Sequence, residues 1–192
     1  EGDLNWETWI ERAEQPEPRT PEPVNSMIYT SGTTGRPKGV RRNPPSPDQA
    51  NALVIMAERA FGTNAQMRTV VCGPMYHSAP NAYSLLAARA GATIFLQPRF
   101  DAEALLALIE REKLTHIHLV PTMFVRLLKL PDDVRQKYDV SSLEFIIHAA
   151  APCPQDVKRD MIKWWGPVIN EYYGSTEASI TTFCSSDEWL AH

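Results

Sequence analysis

Ala92-Thr93-Ile94-Phe95-Leu96 is a short apolar run, Asp101 to Lys113 is a helix-length segment after it, and His116-Ile117-His118-Leu119-Val120 is a second short run. The middle segment reads as a helix, because Asp101 and Glu103 open it while Arg111 and Lys113 close it, matching the helix dipole at both ends. The flanking runs are too short for helices, and several of the short runs along the chain are apolar throughout instead of alternating as a half-solvated strand would. Runs of that kind are what strands buried on both faces look like. Strand, helix, strand in this order implies two parallel strands joined by a right-handed crossover.

The same texture extends outward in both directions. Met27-Ile28-Tyr29, Thr69-Val70-Val71-Cys72, Phe145-Ile146-Ile147 and Pro167-Val168-Ile169 are further short apolar runs. A helix fits between the last two. Gln155 to Trp165 follows Pro154, carries Val157, Met161 and Trp165 at i, i+4 and i+8, and meets Gly166-Pro167 as a stop. Trp164 and Trp165 at its end read most simply as core and interface residues. The expected fold class is α/β, a mostly parallel sheet flanked by helices. In such sheets ligands sit at the carboxyl ends of strands, so the loops after the apolar runs are where chemistry is expected.

The chain has 192 residues, 43% hydrophobic and 22% charged. That composition is globular and excludes wholesale disorder. No apolar run approaches the roughly 20 residues that span a bilayer, so no transmembrane segment is expected. Glu1-Gly2-Asp3 does not open a secretory signal, and three scattered cysteines (Cys72, Cys153, Cys184) suit a reducing cytoplasm better than a disulfide scaffold. Residues 1–24 hold seven acids against Arg12 and Arg19, and eight of the sixteen prolines fall before residue 48. Leu4 to Glu14 could form a short amphipathic helix, and residues 15–23 read as an extended Pro-rich linker. Residues 1–24 are therefore expected to be an acidic arm and linker, and 25–192 the folded unit. No basic stripe interleaved with aromatics appears, which argues against nucleic acid as a partner.

One loop stands out chemically. Tyr29-Thr30-Ser31-Gly32-Thr33-Thr34-Gly35-Arg36-Pro37-Lys38-Gly39-Val40 offers four hydroxyls in five positions, three glycines and a lysine straight after an apolar run. Residues 25–47 contain no acid and four cations, Arg36, Lys38, Arg41 and Arg42. Backbone N–H groups, hydroxyls and a cation are what a loop wrapping phosphates needs, although clusters of Gly, Ser and Thr are often plain surface turns. The spacing is not that of a Walker A loop, since Gly32 and Gly35 are too close and Pro37 precedes Lys38.

This string resembles the phosphate-binding motif of the adenylate-forming superfamily, which includes acyl- and aryl-CoA synthetases, luciferases and peptide-synthetase adenylation domains. Three more stretches are similar to that family in the right order: Pro74-Met75-Tyr76-His77-Ser78, an aromatic/histidine loop; His148-Ala149-Ala150-Ala151-Pro152, an adenine-contacting turn where the family often has glycine at one alanine; and Tyr172-Tyr173-Gly174-Ser175-Thr176-Glu177, its YGxTE motif. The resemblance covers residues 25–192 and implies part of the N-terminal domain of an adenylate-forming enzyme.

Carried over residue by residue, the resemblance implies that Thr30, Ser31, Gly32, Thr33, Thr34, Gly35 and Lys38 clamp the β- and γ-phosphates of ATP. Thr176 would hydrogen-bond the α-phosphate and Glu177 would hold Mg²⁺, which makes Lys38, Thr176 and Glu177 the catalytic candidates. Tyr173 would stack on adenine opposite Ala150, Ala151 and Pro152, with Tyr172, Gly174 and Ser175 of the same motif at the nucleotide. His77 would sit by the substrate carboxylate. Simpler roles stand beside these. Tyr172 could be core, Glu177 could merely start a helix, and a lone histidine such as His77 could be structural. His116 and His118 share a strand face, but two histidines make a poor metal site. Nothing near Cys153 suggests an activated thiol.

The implied function is that of an ATP-dependent acyl-CoA synthetase, taking a carboxylic acid, ATP and CoA to acyl-CoA, AMP and pyrophosphate through acyl-AMP. Glu171 to Glu177 followed by Ser186 to His192 looks like bacterial fatty- or medium-chain acyl-CoA synthetases, pointing to a fatty acid and to fatty acid metabolism. The alternatives are an amino-acid or aryl-acid adenylating enzyme and, in another class, a non-catalytic nucleotide-binding module. The family's ribose-binding aspartate, hinge and C-terminal catalytic lysine have no counterpart in these residues. The 192 residues alone are therefore expected not to turn over, and to self-associate through apolar surface left uncovered.

Overall fold

The computed structural model describes residues 10–12, 27–30, 35–41 and 43–192. Residues 10–12 are helical. The rest of the helix expected at Leu4–Glu14, and the linker, lie outside the described residues.

The first described strands, β1 (Ile28–Thr30) and β2 (Lys38–Val40), pair antiparallel as a hairpin, with Thr30 opposite Lys38. Helix α1 (Pro47–Phe61) starts at a capping box, in which Gln49 N–H donates to Ser46 Oγ and Ser46 N–H donates to Gln49 Oε1. Then follow β3 (Arg68–Val71), α2 (Ser78–Arg89), β4 (Thr93–Leu96), α3 (Ala102–Glu112), β5 (His116–Leu119), α4 (Pro121–Leu128) and α5 (Asp132–Lys137). β6 (Phe145–His148), α6 (Gln155–Trp165), β7 (Ile169–Ser175), β8 (Ser179–Cys184) and α7 (Ser186–Ala191) complete the chain.

Six strands form one sheet in the order β4-β3-β5-β6-β7-β8. All neighbours are parallel except β7 and β8. The expected mostly parallel α/β sheet is present, with two differences. The run Met27–Tyr29 contributes not to this sheet but to the separate two-stranded hairpin, because its partner is the adjacent Lys38–Val40. The chain also turns back after β7 to add an antiparallel edge strand.

Burial explains the pattern of the runs. All four residues of β5 are buried, and three of four in β3 and β6, so these inner strands are covered on both faces. β4 is an edge, with Thr93 and Leu96 exposed. One face carries the larger core, where Leu105, Leu106 and Ile109 of α3, Phe124 and Leu127 of α4, and Met161 and Trp165 of α6 pack on Val70, Ile117, Ile146 and Ile169. Each such side chain contributes about 1.5–3 kcal/mol on burial. The other face is covered by Ala57 and Phe61 of α1 and Tyr83 and Ala87 of α2, packed with Met67 and Ile147.

Helix ends follow the sequence closely. Asp101 caps α3 by accepting from Ala104 N–H at 2.8 Å, and Lys113 ends it in the left-handed conformation, φ 49°. α6 spans Gln155–Trp165 and stops at Gly166, φ 91°. Trp165 is buried and Trp164 packs against the same core. Among the described residues no helix is long and apolar enough to cross a membrane.

Candidate active site

Because β3, β5, β6 and β7 run parallel, their carboxyl ends share one edge of the sheet. The order β4-β3-β5 places a topological switch between β3 and β5, since the chain leaves β3 for one side and returns to the other. Clefts open at such points. Three of the four stretches singled out from sequence leave this edge: residues 73–77 after β3, 149–152 after β6, and 174–177 at the end of β7. The fourth is the loop between β1 and β2.

The loop after β3 turns at Gly73, where a Cβ would lie 2.7 Å from Pro80 Cγ. Met75, Tyr76 and His77 are exposed, with the Tyr76 and His77 rings 4.7 Å apart. His77 occupies the N-cap of α2 without using its side chain to cap, which leaves the imidazole open to solvent.

The turn after β6 holds Ala150 at φ 77°, a conformation an L-residue adopts at a cost of about 1–2 kcal/mol. Strain of this kind concentrates at functional sites. Ala150, Ala151 and Pro152 are all exposed. Burial pushes the Cys153 thiol beside them up to about 11, so it stays protonated at neutral pH.

At β7 the two tyrosines part company. Tyr173 is 72% exposed. Tyr172 points to the opposite face, where its hydroxyl lies 3.4 Å from His118 Nε2 and its ring meets Phe61 edge-on at 5.5 Å. Burial pushes the Tyr172 phenol up to about 12. A register shift falls between Tyr173 and Gly174. A Cβ on Gly174 would stand 2.1 Å from Ser179 O, so only glycine lets β7 and β8 approach there. Thr176 and Glu177 lie in the turn that follows, and Ser175 Oγ accepts from Ala178 N–H at 3.0 Å, bracing that turn. Glu177 is exposed.

In the hairpin, Thr30 is half-buried at the end of β1 and Lys38 is exposed on β2. Gly35 has φ 79°, and a Cβ added there would meet nothing within 4 Å. Ser31, Gly32, Thr33 and Thr34 lie outside the described residues.

Beneath the β6 and β7 loops is a charged group that sequence reading missed. Lys158 of α6 is fully buried, and its Nζ donates to Glu171 Oε2 on β7. His148 Nε2 lies 3.4 Å from the same oxygen but off the hydrogen-bond direction, so neither ring nitrogen of His148 has a hydrogen-bond partner among the described residues. Burial, reinforced by the Lys158 charge and opposed by Glu171, pushes His148 down to about 4. The signal was available: Lys158 stands three, four and seven residues before the buried Met161, Ile162 and Trp165, on the apolar stripe of α6.

The model of the AMP-binding enzyme family matches residues 1–192. The chain belongs to the AMP-binding enzyme family. The putative acyl-CoA synthetase YngI of Bacillus subtilis is 36% identical over 171 residues, which cover 87% of this chain and 30% of that protein. The probable CoA ligase CCL5 of Humulus lupulus is 34% identical over 163 residues, covering 82% and 29%. The structure of O-succinylbenzoate coenzyme A synthetase (MenE) from Bacillus subtilis in complex with AMP superposes with a TM-score of 0.68 at 25% identity, covering 86% of this chain and 33% of that one. The chain thus spans less than a third of the length of these curated relatives.

The resemblance read from the sequence implies Mg²⁺ at Glu177, and the residues present can be tested against it. Among the described residues no group of three or more His, Cys, Asp or Glu side chains could hold a metal ion. His116 and His118 are both buried within the sheet. A lone exposed carboxylate at Glu177 still fits Mg²⁺, which keeps most of its waters and binds through one or two carboxylates plus substrate phosphates.

Proposed function

We propose that the protein containing this chain is an ATP-dependent acyl-CoA synthetase acting on a fatty acid in the cytoplasm, with residues 25–192 forming part of its adenylation domain and residues 1–24 an acidic arm. The observation that carries the reading is the convergence of residues 73–77, 149–152 and 173–177 on the carboxyl edge of one parallel sheet, in a chain whose relatives are named CoA ligases and acyl-CoA synthetases. The three unpaired cysteines suit a reducing compartment.

In the proposed chemistry a carboxylate oxygen of the acid attacks the α-phosphorus of ATP and pyrophosphate leaves. The thiol of CoA then replaces AMP at the acyl carbon, giving the thioester. Attack on phosphorus depends on in-line positioning and on charge neutralisation more than on a protein base. Lys38 supplies a cation to the β- and γ-phosphates, which Thr30, Ser31, Gly32, Thr33, Thr34 and Gly35 wrap. Thr176 donates to the α-phosphate, and Gly174 and Ser175 carry the backbone past it. Tyr173 stacks on adenine against Ala150, Ala151 and Pro152, while Tyr172 holds the strand from the far side. His77 borders the carboxylate. Glu177 would hold Mg²⁺, which would neutralise phosphate charge as pyrophosphate departs.

An aryl acid in place of a fatty acid is the second reading, supported by the likeness to O-succinylbenzoate coenzyme A synthetase. Pyrophosphate release by the full-length protein with MgATP, against fatty, aryl and amino acids and with or without CoA, separates the readings. Release with one acid class, and thioester on adding CoA, is the expected result. A panel that stays silent, with ATP binding unchanged by Lys38→Ala, would overturn it. The 192 residues alone, less than a third of a relative's length, should release none.

A further inference from the structure

We propose that Lys158 is a positioning residue that sets the width of the adenine slot, a proposal that rests on the nucleotide reading of this site. Burying an ammonium group is costly unless it is paired, and an apolar side chain of similar length would fill the same space more cheaply. Lys158 nonetheless interrupts the stripe formed with Met161, Ile162 and Trp165, and it is 0% exposed. A buried ion pair is therefore better explained by what it fixes than by stability.

What it fixes can be followed through four elements, α6, β7, β6 and α7. The backbone N–H of Lys158 donates to Pro154 O at 3.0 Å, so the residue sits in the first turn of α6. Side chains on a helix lean toward its N-terminus, so the Lys158 side chain extends from α6 toward the segment that leads out of the turn at residues 150–152. Its Nζ meets Glu171, which is paired in register with His148 on the neighbouring strand. Glu171 and Tyr173 are two residues apart on one strand, as His148 and Ala150 are two apart at the end of the next. The same ammonium lies 5.0 Å from the ring centre of Trp189 in α7, tying in the element after β8.

The pair is also oriented. Lys158 is sealed, whereas the Glu171 side chain is 37% exposed, so the charge pair runs from the core toward solvent. One cation thus holds α6, and with it the turn carrying Ala150 to Pro152, at a set distance from the strand carrying Tyr173. These are the two walls between which adenine would lie.

The test uses the full-length protein and compares wild type, Lys158→Met, the neutral pair Lys158→Met/Glu171→Gln, and Lys38→Ala. AMP and ATP dissociation constants are measured by calorimetry alongside thermal unfolding and the KM for the acid. The single Lys158→Met variant strands the carboxylate and loses stability. The neutral pair regains most of that stability yet binds AMP and ATP roughly tenfold more weakly, with the acid KM within about twofold of wild type. Lys38→Ala weakens ATP more than AMP, which separates the triphosphate grip from the adenine slot. A folded neutral pair that binds AMP as tightly as wild type would overturn the positioning role and leave the functional reading standing. Wild-type protein that binds neither AMP nor ATP would overturn both. Should the neutral pair fail to fold, Glu171→Gln, which keeps an acceptor for Lys158, decides the matter: weaker AMP binding supports the role, and unchanged binding overturns it.

Discussion

Replacing Gly174 by alanine tests whether the β7–β8 approach, rather than the nucleotide alone, demands glycine in the YGxTE stretch. The added Cβ would meet Ser179 O at 2.1 Å, whereas ordinary contact begins at 3.4 Å, so the strands must part by about 1.3 Å. The obstacle is backbone, which cannot rotate away as a side chain would. Overpacking costs about 1–3 kcal/mol, and each ladder hydrogen bond lost to the parting adds about 0.5–1.5 kcal/mol. The expected loss is thus about 2–4 kcal/mol in denaturant unfolding. Residues 175–177 ride on the displaced segment, and a misplacement near 1 Å lowers turnover about a hundredfold. Pyrophosphate release and unfolding are read on the same full-length variant. Gly166→Ala is the control for conformation without a clash, because its Cβ meets nothing within 4 Å and it lies outside the site. A Gly174→Ala protein within about 0.5 kcal/mol and twofold of wild type would refute the steric account.

Three further outcomes are expected. Ala150→Gly removes the strain of φ 77° and should raise stability by about 0.5–1 kcal/mol in thermal unfolding, and a fall in melting temperature would contradict it. His118 and His148 are both pushed down to about 4, first by burial, then for His118 by His148 and for His148 by Lys158. The unfolded chain then binds more protons than the folded one between the ordinary histidine value and about 4, so stability is full above pH 6.5 and falls as acid is added through that window. The slope approaches about 1.4 kcal/mol per pH unit for each histidine, and His118→Gln should flatten it in urea titrations at pH 4.5 to 7. Asp101→Ala removes the α3 cap and should cost about 1 kcal/mol, measured by chemical unfolding, with little change in nucleotide affinity.

The inner strands were legible in the sequence where burial on both faces left no room for alternation, as Val70–Cys72 and Phe145–Ile147 show, whereas His116–Leu119 alternates histidine with aliphatic residues and is buried all the same. The helix ends were legible because Asp101, Lys113 and Gly166 do local work that local sequence advertises. The antiparallel return was not, since β8 depends on a turn whose exit residue, Ser179, adopts φ 62° without being glycine. The fate of Met27–Tyr29 was equally hidden, because a three-residue strand carries no mark of which partner it will find. At the site, the loops could be placed from their following the apolar runs. Lys158 showed as a charge on the apolar stripe of α6, but its pairing with Glu171 did not, because the two lie thirteen residues apart on different elements and only packing unites them.

The sheet ends at β4 on one side and β8 on the other, so among the described residues each carries a margin of backbone donors and acceptors with no partner strand. β4 adds Leu96, 72% exposed, to its margin. Such borders recruit strands from other molecules. A sample of these residues alone should therefore cloud or gel as it is concentrated, and its melting point should drift with dilution. Unfolding measurements on the isolated unit become interpretable only when repeated across a range of concentrations.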